Sequence, residues 1–128
     1  MIRLAVDPFP AAAEFEALWQ AGWGASAGDY LTSILPRSLA HVAAYAGDRL
    51  VGFVNVAWDG GRHAFILDTV VHPEFRRRGT AAAMLRKATE IARERGAEWL
   101  HVDFEAGLEG FYCSCGFRPT AAGLIRLK

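Results

Sequence analysis

HAFILDTVVHPEFRRRGTAAAML, residues 63 to 85, joins an apolar, β-branched run to a helical one through a turn with three consecutive arginines. The run 63–71 is typical of a strand, and from Thr80 to about Arg95 the apolar and charged residues fall on two faces at helical spacing. WLHVDF (99–104) predicts another strand after that helix. A strand reached through a helix normally lies parallel to the preceding strand, so this stretch predicts a βαβ crossover.

The residues before the crossover predict an antiparallel meander. Apolar segments at 39–46 and 49–58 flank Gly47-Asp48, a two-residue hairpin signal, and DGG (59–61) turns the chain into the strand 63–71. Further elements are expected as strands at 2–6 and 124–128, helices at 11–22 and 29–35, and a short helix at 107–116. The predicted fold class is α/β, with a mixed, mostly antiparallel central sheet and helices on both faces.

Composition indicates one ordinary globular domain over residues 1–128. A chain of 14.0 kDa with 52% hydrophobic and 22% charged residues can form a core without disulfides or metals. The 14 Lys+Arg residues balance the 14 Asp+Glu residues, so the domain as a whole is not basic and no nucleic-acid partner is expected. No apolar run reaches the roughly 18 residues of a membrane span. Because the first ten residues lack the apolar core of a signal peptide, we expect a cytoplasmic protein without a membrane partner.

The two cysteines do not predict a metal site. Cys113 and Cys115 are separated by one residue, whereas a zinc site needs about four ligands and wider spacing. A disulfide between residues so close in sequence would be strained. Both are expected to be free thiols, and no metal is expected.

The arginine turn places cations where they are electrostatically unfavourable. Unpaired N–H groups give the start of a helix partial positive charge, yet Arg76, Arg77 and Arg78 directly precede it. Gly79 and the alanines after Thr80 leave the backbone open to a ligand. A pyrophosphate would pair with both the guanidinium and the N–H groups. The residues alone leave a second interpretation open, which is a solvated basic turn without a ligand.

The spacing Arg76-x-x-Gly79-x-Ala81 resembles the R/Q-x-x-G-x-G/A signature of the GNAT superfamily of acyl-CoA-dependent N-acetyltransferases. FYCSCGF (111–117) resembles the second hallmark of that family, FYxxxGF, and the order of elements matches too. The resemblance covers most of the chain and is strongest from 65 to 117. It implies an enzyme that moves an acetyl group from acetyl-CoA to a primary amine of a small molecule, or of a protein, by direct attack.

The resemblance also implies roles for individual residues. The strand end would meet the pantetheine arm and the acetyl group, while the loop and first helical turn would hold the pyrophosphate. The strand-end residues are Val70 and Val71, and the loop and helix residues are Arg76, Arg77, Arg78, Gly79, Thr80, Ala81 and Ala82. The tyrosine of the second hallmark, here Tyr112, would protonate the departing thiolate, since a phenol with a pKa near 10 keeps its proton at neutral pH.

A general base is less clearly defined. Alternation along the strand 99–104 places His101, Asp103 and Glu105 on one face. In several members of the family a glutamate occupies a position like that of His101, so His101 is the first candidate, with Asp68 and Glu105 next. A satisfied or solvent-facing imidazole is the alternative for His101.

The acceptor site is expected between the first two helices and the central strands, as the resemblance implies. The aromatic residues of this region and the aspartates that could attract an ammonium group are Trp19, Trp23, Tyr30 and Trp58, and Asp29, Asp59 and Asp68. If some of these aromatic side chains line a groove and are not core, they favour a small hydrophobic or aromatic amine.

Two further alternatives concern the whole protein. A GNAT-like module that binds acyl-CoA as a sensor or regulator without catalysis would keep the loop signature. An exposed last strand at 124–128 could also pair with a second copy, so a homodimer is possible.

Overall fold

One five-stranded sheet forms the centre of the molecule, whose computed structural model describes residues 1–128. Its strands are β1 (Ile2–Val6), β2 (Ala40–Ala46), β3 (Arg49–Trp58), β4 (His63–Val71) and β5 (Trp99–Val102). They lie in that order across the sheet. The first four pair antiparallel, and β5 is parallel to β4. The predicted mixed, mostly antiparallel sheet with a βαβ crossover is confirmed.

Helices cover both faces of the sheet, as the sequence predicts. The helix α1 (Ala12–Trp23) packs on β3 and β4, and α2 (Thr80–Glu94) packs on β2, β3 and β4. Each helix covers its own cluster of buried apolar side chains. A third helix, α3 (Glu109–Ser114), adds Tyr112 to the cluster under α2. We call the two sides of the sheet the α1 face and the α2 face.

The predicted helix at 29–35 has a different form. Tyr30–Ile34 is a π-helical turn, and the 3₁₀ turn Leu35–Arg37 follows it directly. Pro36 lies in this second turn, and a proline has no N–H with which to continue a helical ladder. The segment is therefore two short turns, although Tyr30 still packs into the α1-face cluster.

The helix α2 lies close to β3 because Gly52 has no side chain. A Cβ at this position would lie 3.0 Å from Met84 Sδ and 3.1 Å from Ala44 Cβ, which is tighter than ordinary van der Waals contact. On the same side of the molecule, the His72 N–H donates to the Val51 carbonyl at 2.8 Å and holds the residue after β4 to β3. These contacts fix the start of α2 relative to the end of β4.

The strand predicted at 124–128 is absent from this chain. These residues have no regular secondary structure, and β5 ends at Val102 and not at 104. A strand is stable only when its N–H and C=O groups pair with a neighbouring strand. No strand of this chain lies beside residues 124–128, so their β-forming pattern has no partner.

A polar network in which His41 is the only buried polar side chain joins the other end of α2 to the sheet. Arg95 donates from Nη1 to the Asp7 carboxylate at 2.6 Å and to the Leu39 carbonyl at 2.9 Å. The same carboxylate accepts the His41 N–H at 2.8 Å. His41 is buried, and its ring accepts the Phe9 N–H through Nε2 at 3.1 Å, which requires the neutral imidazole.

We expect this neutral, buried histidine to make stability depend on pH. Burial lowers the pKa of His41, and Arg95 also lowers it, against the opposing effect of Asp7. The unfolded chain therefore binds the proton first as the pH falls below about 6.5, and the free energy of unfolding should decrease from there downwards. Chemical denaturation between pH 7.5 and 5.5 measures this slope.

The variant His41→Gln should flatten that slope, even though it destabilises the protein at pH 7.5. His101→Gln leaves His41 in place and is the matched control, which should keep the slope. Equal slopes for the wild type and His41→Gln would contradict the prediction.

Candidate active site

The strands β4 and β5 pair along only part of their length. His63–Ile66 of β4 pairs with Trp99–Val102, whereas β4 stays paired with β3 up to Val71. Residues 67–71 therefore have a strand on one side and none on the other. We call the opening beside them the β4–β5 gap. Backbone groups on this side of β4 have no strand partner and are available to a ligand.

A β-bulge shapes β4 beside the gap. Leu67 is opposite Asn55 and Val70 is opposite Phe53, so β4 has two residues where β3 has only one. The first of the two, Asp68, has a φ of 56°, a left-handed conformation that aspartate tolerates better than most residues. The bulge directs the side chain of Asp68 towards the α1 face.

On the α2 face, Tyr112 reaches the gap from α3. Its ring is buried and stacks on Phe104 at a centroid distance of 4.8 Å. Burial raises the pKa of the Tyr112 hydroxyl, while the neighbouring Thr69 side chain acts in the opposite direction. The tyrosine thus remains a proton donor at neutral pH beside the middle of the gap.

The arginine loop is held against the end of β4. Arg76 donates from Nε to the Val71 carbonyl at 3.1 Å, which fixes its guanidinium at the strand end. Arg78 lies over the Phe75 ring, with Cζ 5.0 Å from the centroid. The three arginines therefore differ, since one is anchored to the backbone, one packs on an aromatic ring, and Arg77 has neither contact.

The start of α2 is open to a ligand. Gly79 is its N-cap residue, with a φ of 78° and no side chain to cap the helix, and the first turn contains no acidic residue. A Cβ at Gly79 would meet no atom within 4 Å. Arg77 is also left-handed, with a φ of 64°. The positive end of the helix thus faces empty space, with the arginines around it.

A cavity of about 250 Å³ lies at this helix start and collects most of the predicted loop. The hydroxyl of Thr80 is buried in the protein and has no hydrogen-bond partner, although Thr80 itself lines the cavity. A polar ligand would satisfy this orphaned group. The lining residues are Val71, Phe75, Arg76, Arg77, Gly79, Thr80, Ala81, Ala82 and Phe111.

The lining differs from the sequence prediction at four positions. Arg78 does not line the cavity, and Val70 is buried in the α1-face cluster, whereas Val71 lines it. Phe75 and Phe111 are additional lining residues that the sequence reasoning missed. Phe111 comes directly before Tyr112 in the FY hallmark, and this position could have identified it as a lining residue.

On the α1 face, Asp68 and Tyr30 form a polar contact at the gap. The Tyr30 hydroxyl donates to Asp68 Oδ2 at 2.6 Å. Burial raises the pKa of Tyr30, and the carboxylate beside it raises it further. Tyr30 therefore stays protonated and holds a carboxylate that is itself exposed. Asn55 is fully buried close to Tyr30, and its amide oxygen and nitrogen make no hydrogen bond of good geometry.

The other predicted acceptor residues have different surroundings. Trp19 is buried core, while Trp23 is half exposed at the end of α1, where Gly22 packs so tightly on Val70 that any side chain would overlap Cγ2. Trp58 lies at the end of β3 opposite Ala64, away from the gap. Asp59 accepts the N–H groups of the turn that follows it, which lowers its pKa.

His101 lies in the paired part of β4 and β5. It is opposite Phe65, on which it stacks at 4.8 Å, and its Nε2 is 2.7 Å from Nδ1 of His63. A strand rises about 3.3 Å per residue, so Phe65 is roughly 15 Å from Val70 along β4. The structure therefore does not place His101 near Tyr112, whereas it does place Asp68 on the stretch of β4 beside Tyr112. The ring partner of His101 is His63, which sequence reasoning missed.

Two observations concern other kinds of site. Cys113 and Cys115 are free thiols, and no three His, Cys, Asp or Glu side chains are grouped so that they could hold a metal ion. None of the helices combines the length and the apolar character that crossing a bilayer requires.

The family profile and the related proteins that match this chain are all acetyltransferases. The profile of the Acetyltransferase (GNAT) family matches residues 2–117. A mycothiol acetyltransferase of Mycolicibacterium vanbaalenii is 35% identical over 84 residues, which are 66% of this chain and 25% of that protein. The chain thus spans about a quarter of the length of this relative.

Solved structures share the fold over the whole chain. A probable acetyltransferase of Staphylococcus aureus superposes with a TM-score of 0.83 at 22% identity, covering 100% of this chain and 99% of that one. The aminoglycoside acetyltransferase AAC(6')-Iy, solved with a CoA bisubstrate analogue, superposes with a TM-score of 0.78 at 18% identity, covering 100% of this chain and 98% of that one.

We expect the cavity at the start of α2 to bind a pyrophosphate-bearing ligand, with coenzyme A as the probe. Gly79→Glu should weaken the affinity more than about tenfold, because a carboxylate would enter the space in front of the helix N-terminus and repel the phosphates. Isothermal titration calorimetry measures this affinity. Gly60→Glu is the control, because Gly60 also has a positive φ of 84° and open space around it but lies outside the cavity. Unchanged affinity in Gly79→Glu would overturn the assignment of this cavity.

Proposed function

This chain belongs to the GNAT acetyltransferase family, and from that premise we propose that it transfers an acetyl group from acetyl-CoA to a primary amine of a small molecule. The observation that carries the proposal is that three features follow one another along the β4–β5 gap. They are the cavity at the start of α2, the unpaired side of β4 and the Tyr112 hydroxyl.

The cofactor would lie along this arrangement. Its pyrophosphate would occupy the cavity, where Arg76 and Arg77 supply charge and the N–H groups of residues 80–82 supply hydrogen bonds. Its pantetheine arm would pair with the free side of β4 over residues 67–71. The acetyl group would then lie near the bulge, where an unpaired backbone N–H can polarise the thioester carbonyl.

The reaction would be a direct transfer without a covalent enzyme intermediate. The neutral amine attacks the thioester carbonyl carbon, so that a C–N bond forms as the C–S bond breaks. Tyr112 donates its proton to the departing thiolate, which gives the free thiol of coenzyme A. The proton lost by the amine passes to a carboxylate, directly or through water, and the tyrosine recovers its proton from solvent.

The geometry favours Asp68 over His101 as the group that accepts this proton. Asp68 is exposed to the gap within the bulge, two residues before Val70, and Tyr30 fixes its orientation. His101 is directed to the paired part of the strands, against Phe65 and His63. Glu105 is exposed beyond β5 and has no contact that orients it.

The Asp68 carboxylate also indicates which kind of amine would receive the acetyl group. Before it loses a proton, an amine is an ammonium ion, and the exposed Asp68 carboxylate lies at the gap, where it could attract this ion. The half-exposed Trp23 and the exposed Leu67 provide apolar surface nearby. A small cationic amine with an apolar group attached therefore fits this side of the gap.

The proposal is tested by offering a panel of small primary amines together with acetyl-CoA and measuring the coenzyme A released. Because Cys113 is exposed and would react with a thiol reagent, chromatographic separation is the appropriate readout. Release that depends on an amine supports the enzyme. Tight binding of acetyl-CoA with no release for any amine would instead indicate the non-catalytic module.

Tyr112→Phe should reduce kcat about 100-fold or more, because general acid catalysis typically contributes that much. The affinity for coenzyme A should not change, since the hydroxyl acts on the leaving group. Tyr45→Phe is the matched control, because Tyr45 is equally buried but packs in the α1-face cluster. Wild-type kcat in Tyr112→Phe would exclude the role of Tyr112 as the acid.

Asp68→Asn should lower kcat/KM for the amine by roughly 100-fold, since it removes both a charge and a proton acceptor. The KM for acetyl-CoA should stay the same. Tyr30→Phe keeps the carboxylate but removes its hydrogen bond, so it should give an intermediate loss. Asp29→Asn is the control, because Asp29 is exposed and its side chain does not cap the turn that follows it. A larger loss in His101→Gln than in Asp68→Asn would return the role of base to His101.

A further inference from the structure

Asn55 is a buried polar residue that neither the core nor the cavity at the start of α2 explains. The polar residues buried in this chain are His41, Asn55 and Thr80. His41 has hydrogen-bond partners at the far end of α2, and Thr80 lines the cavity at the helix start. Asn55 is 0% exposed and lacks a hydrogen bond of good geometry at either amide atom. Because a buried amide without partners destabilises a protein, its place in the apolar strand β3 requires a reason.

Asn55 lies on the α1 face beside the bulge of β4. Side chains alternate along β3, so Asn55 is on the same side as Phe53, which belongs to the α1-face cluster. Its partner across the ladder is Leu67, and Asp68 follows Leu67 as the first residue of the bulge. The orphaned amide is therefore next to the carboxylate that accepts a proton in the proposed reaction.

The ring of Tyr30 is held in place close to this amide. Three aromatic rings pack on it with centroid distances of 4.7 to 5.9 Å, and they belong to Phe15, Trp19 and Phe53. These contacts fix the position of the hydroxyl oxygen, so the direction of the O–H bond is the freedom that remains. That bond is directed to Asp68 Oδ2, at an oxygen–oxygen distance of 2.6 Å.

The oxygen of Tyr30 is also within reach of the Asn55 amide. Burial raises the pKa of Tyr30 and Asp68 raises it further, whereas the Asn55 side chain lowers it. A hydrogen bond lowers the pKa of a phenol when it is donated to the phenol oxygen. The amide nitrogen of Asn55 therefore faces Tyr30, although this contact is poorly aligned. Hydrogen bonds in active sites often become well aligned only when the substrate is bound.

We propose that Asn55 is a positioning residue of the acceptor site. Its amide N–H donates to the Tyr30 oxygen, which directs the Tyr30 O–H to Oδ2 of Asp68 and leaves Oδ1 for the ammonium group of the acceptor. We call these three side chains the acceptor row. Each hydrogen bond in such a row polarises the next one, so the carboxylate is held more firmly than by Tyr30 alone. This proposal rests on the proposed function, because it assigns the amine to Asp68.

Asn55→Leu separates a positioning role from a structural one. Leucine has the same branching at Cγ without polar atoms, so the variant removes two unsatisfied groups and should unfold at the same temperature as the wild type or higher. Its kcat/KM for the amine should nevertheless fall about tenfold, the equivalent of one lost hydrogen bond. The KM for acetyl-CoA should not change. Calorimetry and chromatographic measurement of released coenzyme A give these values.

Two further variants separate this loss from an effect of stability. Asn55→Ala also removes the amide and should show the same loss in kcat/KM, so the result does not depend on how well leucine fits. Val56→Ala is the matched control, because Val56 is buried in the same strand but packs in the cluster on the α2 face. It should lower the unfolding temperature and keep kcat/KM for the amine. Wild-type kcat/KM in both Asn55 variants, or an equal loss in Val56→Ala, would overturn the proposal.

Tyr30→Phe shows whether Asn55 acts through Tyr30. Without the hydroxyl, the amide has no O–H bond to direct. Adding Asn55→Leu to Tyr30→Phe should therefore cause no further loss in kcat/KM for the amine. If the two losses multiply, Asn55 acts independently of Tyr30 and the acceptor row is excluded.

The hydroxyl proton of Tyr30 gives a measurement that needs no substrate. Its NMR resonance is assigned by its disappearance in Tyr30→Phe. In Asn55→Leu the phenol oxygen loses a donor, so this resonance should move and the proton should exchange faster with water. An unchanged resonance and exchange rate would exclude the contact. If the wild type releases no coenzyme A with any amine, the proposed function fails, while the NMR result still decides whether Asn55 orients Tyr30.

Discussion

The site depends on one structural constraint, which is that β4 stays paired with β3 after it has separated from β5. The β4–β5 ladder ends at Ile66 and Val102, while β4 continues to Val71. This leaves a strand that is held in position from one side and unpaired on the other. A rigid strand with unused backbone groups can bind an extended ligand without first being ordered, so little conformational entropy is lost on binding.

The bulge at Asp68 places different chemical groups on the two sides of this strand. An extra residue changes the alternation of side chains, so Asp68 is directed to Tyr30 on the α1 face while Thr69 lies beside Tyr112 on the α2 face. A carboxylate and a phenol thus approach the same stretch of backbone from opposite sides. Burial raises the pKa of both phenols, which keeps them protonated. In the proposed reaction, Asp68 would accept a proton on one side of the strand and Tyr112 would donate one on the other.

The start of α2 shows how unfavourable electrostatics can indicate function. Arginines in front of an uncapped helix N-terminus repel the helix dipole, and the first turn of α2 contains no acidic residue that would offset this repulsion. The Arg76 guanidinium is nevertheless fixed on the Val71 carbonyl, and the Thr80 hydroxyl is buried without a partner. An anion bound here would pair with these unsatisfied groups, which is why they support the proposed phosphate site.

Periodicity and local spacing in the sequence alone determined the order of elements, the parallel crossover, and the loop around Arg76 and Gly79, because these depend on neighbours in the chain. The sequence could not determine which titratable group reaches the gap. His101 and Asp68 were both plausible there, and only strand register and the bulge separate them, since these decide how far along β4 each residue lies. The segment 124–128 has the pattern of a strand, yet it forms none in this chain, because a strand also needs an edge to pair with, and only the tertiary structure decides where that edge lies.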